Sequence, residues 1–527
     1  MRSKISLGRS RGTGLGADAT EARHALQEKA KLRRSFGRLD VFFFLVCTLV
    51  GVDGLGALTT KGGAAFTWMI GSVILFAVPS ALLIAEMAAA YTDEGGPYIW
   101  VRMAVGRLPA AMNNFFYWVS NPVWVGGTLA GTAAGALSVF FRGGAGFAGP
   151  ATYVIGLLFI WSCVVLTIFS VRVAKWVVAG GAVARFALFG VFTVVVLTYG
   201  IEHGFHGVSG HSLVPTFSGF TALVPLILFS LVGFELPSAA GEEIENPVRD
   251  VPAGIARTVL ASGALYGLPV LGILLVLPVG QASGLAGFAD AVRQALTVFG
   301  GRITGHGTSL SATLTGFGTV TGWVMGALIV AVAFTSGLTW VMGSDRAMAV
   351  SCLDGAGPRE LGSFSARFGT PVRVNIMSGL VATGTFVATE LITGGNAFKF
   401  FTVALSLAIS TTLMSYLAMF PSAWVLRRRR PTDPRPFRAP AIGLMTTLST
   451  VLVIFCTIES LCPGLGGGWF DAQNLPGPQW HPSERWTYLA GAGGPLLVFL
   501  LMGAVFWLIG RLQGLAGERE AATGPSA

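Results

Sequence analysis

The sequence predicts an all-α protein that crosses a membrane many times. Of its 527 residues, 53% are hydrophobic and only 11% are charged, whereas about 25% of the residues in a soluble domain are charged. Apolar stretches of about 20 residues, the length that a membrane helix requires, recur along the chain. The 72 glycines suit membrane helices, which approach closely where small residues occupy their contacts. A soluble globular fold is therefore excluded.

Twelve spans are predicted from the positions of these apolar stretches. Their approximate bounds are 40–60, 66–90, 110–140, 151–170, 174–200, 219–240, 256–279, 319–343, 372–394, 397–425, 440–461 and 487–512. A basic tail, 1–38, precedes the spans, and a short tail, 513–527, follows them. Because the number of spans is even, both tails are expected on the same side of the membrane.

Basic residues are distributed unevenly between alternate loops. The loops before the third, fifth and eleventh spans carry Arg102 and Arg107, Arg172 and Lys175, and the run 427–430, whereas the opposite loops hold few basic residues. Basic loops stay in the cytoplasm, so the sequence predicts a multi-pass protein of the plasma membrane with both termini inside. The net charge of +10 lies in these short loops and tails. A nucleic-acid partner is therefore not predicted.

Two predicted spans, the first and the sixth, are interrupted near mid-depth. The first reads GVDGLG over 51–56, and the sixth reads GFELP over 233–237. Glycine weakens a helix and proline breaks it, while a carboxylate at the bilayer centre costs about 2.5–3.5 kcal/mol on insertion scales. Backbone freed at that depth must face protein or a water-filled cavity. These interruptions predict a binding site; the alternative is that the glycines only permit close helix packing.

The two interruptions stand five spans apart, which is typical of inverted five-helix repeats that share one substrate site. We assign 39–200 to the first repeat, 219–425 to the second, and 440–512 to two additional helices. Half-helix N-termini at such sites offer N–H groups and a positive dipole end to a carboxylate. Unwound carbonyls and acids can receive an ammonium group. A zwitterion with an amine and a carboxylate fits such a site.

Motifs for other activities are missing from the sequence. A phosphate-binding GxxxxGK[ST] loop is absent, which argues against an ATP-driven pump. The chain also lacks HExxH or a comparable metal constellation, and no Ser/His or Cys/His arrangement falls within a span. Enzymatic activity, a metal and a cofactor are therefore not predicted. A proton gradient, or alternatively a sodium gradient, would supply the energy for transport.

Three motif regions carry a family resemblance. The chain reads AEM at 85–87 and EGGPY at 94–98, then EEIENPVRDVP at 242–252 and SDR at 344–346. These motifs are similar to those of the amino acid–polyamine–organocation permeases, and the resemblance covers about 40–425. It implies the leucine-transporter fold, with two inverted repeats of five helices and two further helices. It also implies secondary transport of amino acids or related amines by alternating access.

Residues at the two interruptions are the candidates for substrate contact. The family's usual first interruption reads G-S-G-I, whereas this chain carries Asp53 there, which resembles the branch that includes polyamine importers. Asp53 is expected to pair with a substrate ammonium or to carry a proton; the alternative is a structural pair with Arg185. Related permeases place an aromatic lid near Phe229. The predicted substrate-binding residues are Gly51, Val52, Asp53, Gly54, Gly56, Asn121, Trp124, Phe229, Gly233, Phe234 and Glu235.

A second group of residues is predicted to couple transport to an ion. Arg185 lies within the fifth span, where sodium-independent relatives place a lysine in the position of a bound cation. Arg185 either fills that cation site or extends to the membrane interface. Thr335 and Ser336 could face the same site, and Glu235 could carry a proton or tie the two halves together. The predicted coupling residues are Asp53, Arg185, Glu235, Thr335 and Ser336.

These observations predict a permease for amino acids or related small amines, with proton symport as the preferred mode. Two alternatives share the fold: a polyamine importer, and an exchanger of amino acids or amines. An alternative from a different class is a membrane amino acid sensor that does not transport. An amino acid or polyamine and the lipid bilayer are the predicted partners, and the sequence does not indicate an oligomeric state.

Overall fold

A computed structural model describes residues 36–523, except 148, 170, 206–207, 209, 280, 282–285, 306–309, 393–396, 466–467, 472–473 and 476–479. The helices, in chain order, are α1 (Arg38–Leu49), α2 (Leu55–Leu58), α3 (Ala64–Ser72), α4 (Val78–Ala90), α5 (Gly96–Val105), α6 (Arg107–Trp124), α7 (Ala130–Phe141), α8 (Gly149–Ile168), α9 (Val171–His203), α10 (Phe217–Ser230), α11 (Pro247–Val276), α12 (Gly287–Ala295), α13 (Phe317–Leu353), α14 (Val372–Ile392), α15 (Ala397–Arg429), α16 (Ile442–Leu461) and α17 (Arg485–Thr523).

Ten membrane-length apolar helices are present among the described residues. Two of the ten each consist of two α-helices joined by a π-helical turn. Val73–Ala77 joins α3 to α4, and Val125–Leu129 joins α6 to α7. This architecture is that of a multi-pass membrane protein. Most of the predicted tail 1–38 lies outside the described residues. The predicted tail 513–527 is helical as far as residue 523, because α17 continues past the expected end of the last span.

The first and sixth predicted spans are the segments that the structure interrupts. α1 ends at Leu49, and helix resumes at α2 only with Leu55. α10 ends at Ser230, and a 3-10 helix, Leu236–Glu243, follows. Both interruptions fall at the predicted positions. Each flanking helix is too short to cross a bilayer alone, so the count of twelve spans and the repeat layout stay predictions.

Apart from short 3-10 helices, two α-helices and one hairpin of the described chain lie outside the predicted spans. They are α5, α12 and an antiparallel hairpin of β1 (Gly301–Thr304) and β2 (Ser311–Leu314). The class prediction of an all-α protein therefore misses one short hairpin. The search for apolar stretches of about 20 residues could not find such elements, because they are short or amphipathic. α12, for example, buries Phe288 and Val292 while it leaves Asp290 partly exposed.

The loops predicted to be basic meet at one end of the helix bundle, which we call the basic end. There the Arg429 guanidinium donates to the Ala104 carbonyl (2.8 Å), and the Tyr91 hydroxyl donates to Asp433 (2.9 Å). The Phe36 backbone N–H donates to the Glu243 carbonyl (3.1 Å) at the same end. α1 passes from this end into the interior, where it packs against α9 and α11, while α13 packs along α6, α7 and α9.

Candidate substrate site

A small cavity lies in the protein interior between the two interrupted segments. Its volume is about 20 Å³, which holds about one water molecule. The walls must therefore move to admit a larger solute. The lining residues are Thr48, Leu49, Gly51, Asp53, Gly54, Asn121, Trp124, Leu226, Phe229, Ser230, Tyr266, Trp340 and Thr412.

Six of the predicted substrate-binding residues lie on this wall. They are Gly51, Asp53, Gly54, Asn121, Trp124 and Phe229. The other five, Val52, Gly56, Gly233, Phe234 and Glu235, do not line the cavity. Gly233 lies just behind it, because a Cβ at this position would come within 2.7 Å of both Thr48 and Trp340. Its φ of +119° also favours glycine.

The interruption of α1 is stabilised by side chains from other helices. When a helix stops, its last four carbonyls lose their helical partners, and here each accepts a hydrogen bond from a distant residue. The Arg185 guanidinium donates to the carbonyls of Cys47 (3.0 Å) and Val50 (2.8 Å). The Trp340 indole donates to the Thr48 carbonyl (2.8 Å), and the Tyr266 hydroxyl donates to the Leu49 carbonyl (2.6 Å). The Gly51 N–H in turn donates to the Tyr266 hydroxyl (3.0 Å). The unwound backbone is thus held in a defined shape.

Asp53 is fixed within the wall by two neighbours on one helical segment. Its Oδ2 accepts hydrogen bonds from Trp124 Nε1 (2.7 Å) and from the Thr128 hydroxyl (2.9 Å), and the residue is only 4% exposed. The predicted alternative, a structural pair with Arg185, is not formed. Asp53 is the only charged side chain among the described residues that line the cavity. The carboxylate therefore sets the charge of the site.

Aromatic rings surround this carboxylate. Trp124 contacts Phe229 edge-on, with ring centroids 5.8 Å apart, and contacts Trp340 in the same manner at 6.2 Å. Tyr117 stands behind Trp340 at 6.4 Å. Aromatic faces attract an ammonium or guanidinium group, and a carboxylate beside them adds a charge-assisted hydrogen bond. This wall is chemically suited to an organic cation.

Arg185, Thr335 and Ser336 are brought together as predicted. Arg185 is fully buried and donates to the Thr335 hydroxyl (2.7 Å) and the Ser336 hydroxyl (2.5 Å). It also donates to the carbonyls of Gly181 (3.0 Å) and Val332 (2.9 Å), in addition to those at the end of α1. The alternative of an arginine that extends to the membrane interface is therefore wrong. A guanidinium occupies the oxygen-lined space between α1 and α13.

Glu235 lies behind the cavity, on the side of α15. It is fully buried, and its Oε1 accepts a hydrogen bond from the Tyr416 hydroxyl (2.8 Å). The Tyr117 hydroxyl lies within reach of this carboxylate, although Glu235 Oε2 and the Tyr117 hydroxyl form no hydrogen bond of regular geometry among the described residues. The contact with Tyr416 connects the sixth-span interruption to α15. It does not bring the carboxylate to the substrate wall.

Sequence reasoning missed several residues of the site. Tyr266 and Trp340 hold the carbonyls of α1, and Thr412 and Ser230 complete the wall. Tyr266 and Trp340 share one signal, since each is a hydrogen-bonding aromatic side chain within an apolar span. Buried Tyr and Trp usually find a polar partner. Within the described residues, no group of three or more His, Cys, Asp or Glu side chains could hold a metal ion.

Comparison with known proteins identifies the family of the chain. The profile of the amino acid permease family matches residues 36–464. A probable agmatine/putrescine antiporter of Lactococcus lactis is 25% identical over 443 residues, which cover 82% of this chain and 89% of the relative. An uncharacterized transporter of Legionella pneumophila is 28% identical over 436 residues, 81% of this chain and 89% of the relative.

A third relative carries a different name. A glutamate/γ-aminobutyrate antiporter of Lactococcus lactis is 25% identical over 425 residues, 77% of this chain and 79% of the relative. The family match covers most of the described chain, and these relatives are transporters rather than enzymes. The chain belongs to the amino acid permease family and is a multi-pass membrane transporter.

Proposed function

We propose that this protein exchanges organic cations, of the class of diamines and guanidino amines, across the plasma membrane. The observation that carries the proposal is the Asp53 carboxylate held between Trp124 and Thr128 in an aromatic cavity. An amine would form a charge-assisted hydrogen bond with Asp53 and stack against the rings. A substrate carboxylate would meet no basic side chain among the described lining residues. The agmatine/putrescine relative supports the same class.

The proposed cycle is alternating access between two inverted repeats. In the proposed topology, twelve spans place both termini and the basic end in the cytoplasm, in keeping with the arginines of the loops there. Cavity walls from both interrupted segments surround the substrate at mid-depth, and rocking of one group of helices exposes it to each side in turn. The small volume of the cavity supports a conformation that is closed around the site.

Sodium independence is part of the proposal. The Arg185 guanidinium bonds the carbonyls and hydroxyls that a small cation would otherwise use between α1 and α13. A guanidinium keeps its charge at any physiological pH. It therefore acts as a permanent internal cation. Transport rates should be equal in sodium and in potassium buffers.

A second candidate is net amine uptake driven by a proton gradient, with Glu235 as the proton carrier. The buried Oε2 atom without a hydrogen-bond partner and the Tyr416 contact favour it. Glu235→Gln should then abolish gradient-driven net uptake and leave exchange against preloaded substrate intact. Loss of both activities would assign Glu235 a structural role, and normal net uptake would exclude it as the proton carrier.

The test is flux in liposomes that contain the purified protein. Vesicles preloaded with agmatine or putrescine should take up labelled putrescine many times faster than empty vesicles, while glutamate should not compete. Asp53→Asn should reduce this exchange by at least about tenfold, since it removes a charged hydrogen bond worth about 1.5–3 kcal/mol. Asp40→Asn is the matched control, because Asp40 lies on α1 but outside the cavity. Uptake of glutamate in place of the amines would overturn the substrate class.

A further inference from the structure

A second buried group of charges lies at the basic end, away from the substrate cavity. Glu94 precedes α5, Glu243 ends the 3-10 helix that follows α10, and Arg346 lies on α13; all three are at most 3% exposed. Arg346 Nη1 donates to Glu243 Oε1 at 2.7 Å and stands 3.5 Å from Glu94 Oε1. We call these three residues the basic-end cluster. Its members come from three separate elements.

The cluster holds more carboxyl groups than cations. Glu94 Oε2 accepts the backbone N–H of Glu242 (3.2 Å), but Glu94 Oε1 and Glu243 Oε2 have no hydrogen-bond partner among the described residues. With both carboxyls ionised, the buried cluster would carry one net negative charge. One proton would make it neutral and would supply the missing donor. Burial strongly favours the neutral arrangement.

The elements around the cluster are packed backbone against backbone. A Cβ at Gly96 would lie 2.7 Å from the Ser238 carbonyl, and one at Gly241 would lie 2.6 Å from the Thr92 carbonyl. A Cβ at Gly95 would lie 2.7 Å from a methyl group of Val350. Three glycines therefore let the loop before α5, the 3-10 helix and α13 close tightly. Water can reach the two carboxyl groups only if these elements separate.

Arg346 joins α13 to the other two elements, and its ion pairs must break when α13 separates from them. Its neighbour Asp345 ties α13 to α6 and α14, because it accepts hydrogen bonds from Trp118 (3.1 Å), Ser378 (2.6 Å) and Asn375 (2.9 Å). Arg346 instead reaches the carboxyl groups of the 3-10 helix and the loop before α5. Asp345 and Arg346, which are consecutive on α13, therefore bind to different elements of the fold. Movement of the sixth-span segment away from α13 would expose the cluster.

We propose that the basic-end cluster is a proton-binding site that holds one proton while the basic end is closed and releases it when the end opens. This inference rests on the alternating access and orientation proposed above. Because the cluster would open only towards the cytoplasm, the proton leaves to that side and returns from it. The site then carries no net proton across the membrane. It makes opening of the transporter depend on cytoplasmic pH.

The sign of this dependence follows from the charges that face the carboxyl groups. The pKa of Glu94 is raised to about 8, because burial, with a smaller contribution from the charges of Glu243 and Glu242, outweighs the lowering effect of Arg346. Burial likewise raises the pKa of Glu243, against the effect of Arg346. In water a glutamate titrates near 4.3. The closed state is therefore favoured in full below about pH 4.3, and this advantage is lost as the pH rises to about 8.

Two labels across the basic end can test the inference directly. Val248, at the start of α11, and Ala366, between α13 and α14, are exposed positions on the two moving groups. A keto amino acid at each position accepts a spin label and leaves the five cysteines in place. The distance between labels would be measured in lipid nanodiscs, without substrate, from pH 5.5 to 8.5. The ratio of separated to closed molecules should rise with pH by up to about tenfold per unit.

Glu94→Gln is the decisive variant, since it keeps the size of the side chain and mimics the protonated form. It should favour the closed distance at every pH and abolish the pH response. Glu94→Asp keeps a titrating group and should retain a pH response. This variant shows whether a lost response in Glu94→Gln comes from the missing carboxyl charge or from altered packing. Glu360→Gln alters an exposed carboxyl near the same end and should behave as the unmodified protein.

The outcomes separate this inference from the proposed function. A wild-type pH response in Glu94→Gln, or no response in the unmodified protein, would overturn the inference. Neither result would affect the exchange assay in liposomes. A pH-dependent distance in a protein that fails to exchange amines would support the cluster as a proton site and would overturn only the substrate class.

Discussion

Among the described residues, two arginines are buried in the protein interior, and they are stabilised in different ways. Arg185 is surrounded by backbone carbonyls and hydroxyls and bonds to no carboxylate among the described residues. Arg346 instead pairs with two carboxyl groups, Glu94 and Glu243. The Cys47 thiol also contacts Arg185 Nη1 (3.2 Å), and like the carbonyls and hydroxyls it carries no charge in acid or neutral solution. The carboxyl groups beside Arg346 can gain or lose a proton.

This difference indicates two roles for a buried positive charge. A guanidinium among neutral oxygens fixes the shape of the first-span interruption, and in the proposed function it takes the place of a bound cation. A guanidinium shared by two carboxyl groups forms a contact whose strength depends on pH. The loss of stability caused by substitution of Arg185 or of Arg346 should therefore differ in its pH dependence as well as in its magnitude.

Arg185→Gln should have the largest effect on stability. It removes hydrogen bonds to the carbonyls of Cys47, Val50 and Val332, and a buried acceptor left without a partner costs about 1–3 kcal/mol. The melting temperature in detergent should fall strongly and by the same amount at pH 5.5 and pH 8. Recovery of Arg185→Gln at acid pH would contradict a site in which Arg185 faces no carboxyl group.

Arg346→Gln should also be strongly destabilising, but only at neutral and alkaline pH. Removal of one partner of a buried ion pair costs about 3–5 kcal/mol, because a charge is left uncompensated. Protonation of Glu94 and Glu243 at pH 5.5 should remove the uncompensated charge and recover much of the lost stability. The readout is again the melting temperature at the two pH values, with Arg302→Gln in the exposed strand β1 as the control. Equal losses at both pH values would argue against a titrating cluster.

Thr335→Ala should give an intermediate effect. The hydroxyl of Thr335 accepts from Arg185 at 2.7 Å, and a hydrogen bond to a charged group contributes about 1.5–3 kcal/mol. The melting temperature should fall by less than in Arg185→Gln, again without pH dependence. Thr335→Ser, which keeps the hydroxyl, should recover most of the loss. A full loss in Thr335→Ser would point to packing of the methyl group against Gly181 as the cause.

Glu360→Gln should change stability least. Glu360 is an exposed carboxylate that accepts hydrogen bonds from Gln513 at 3.1 and 3.3 Å. Its own backbone N–H and Gln513 lower its pKa, so its charge is constant between pH 5.5 and 8. Such surface substitutions usually stay within about 0.5 kcal/mol. A large pH-dependent effect here would mean that carboxyl groups outside the basic-end cluster also control this end.

The sequence determined the class of the protein and the positions of both interruptions. These features depend on local composition, since apolar length sets a span and Gly, Asp and Pro at mid-depth disrupt it. The helices accordingly stop at Leu49 and at Ser230. The meeting of Arg185 with Thr335 and Ser336 was also predicted, from the family resemblance. Short amphipathic α12 and the β1–β2 hairpin were missed because no long apolar stretch marks them.

Tertiary structure decided which predicted residues form the site. Asp53 is fixed by Trp124 and Thr128, and the freed carbonyls of α1 depend on Tyr266 and Trp340, which lie more than two hundred positions further along the chain. Hydropathy carries no information on which polar side chain reaches which carbonyl. The same is true of the basic-end cluster. Its charge imbalance exists only because three distant elements pack together and exclude water.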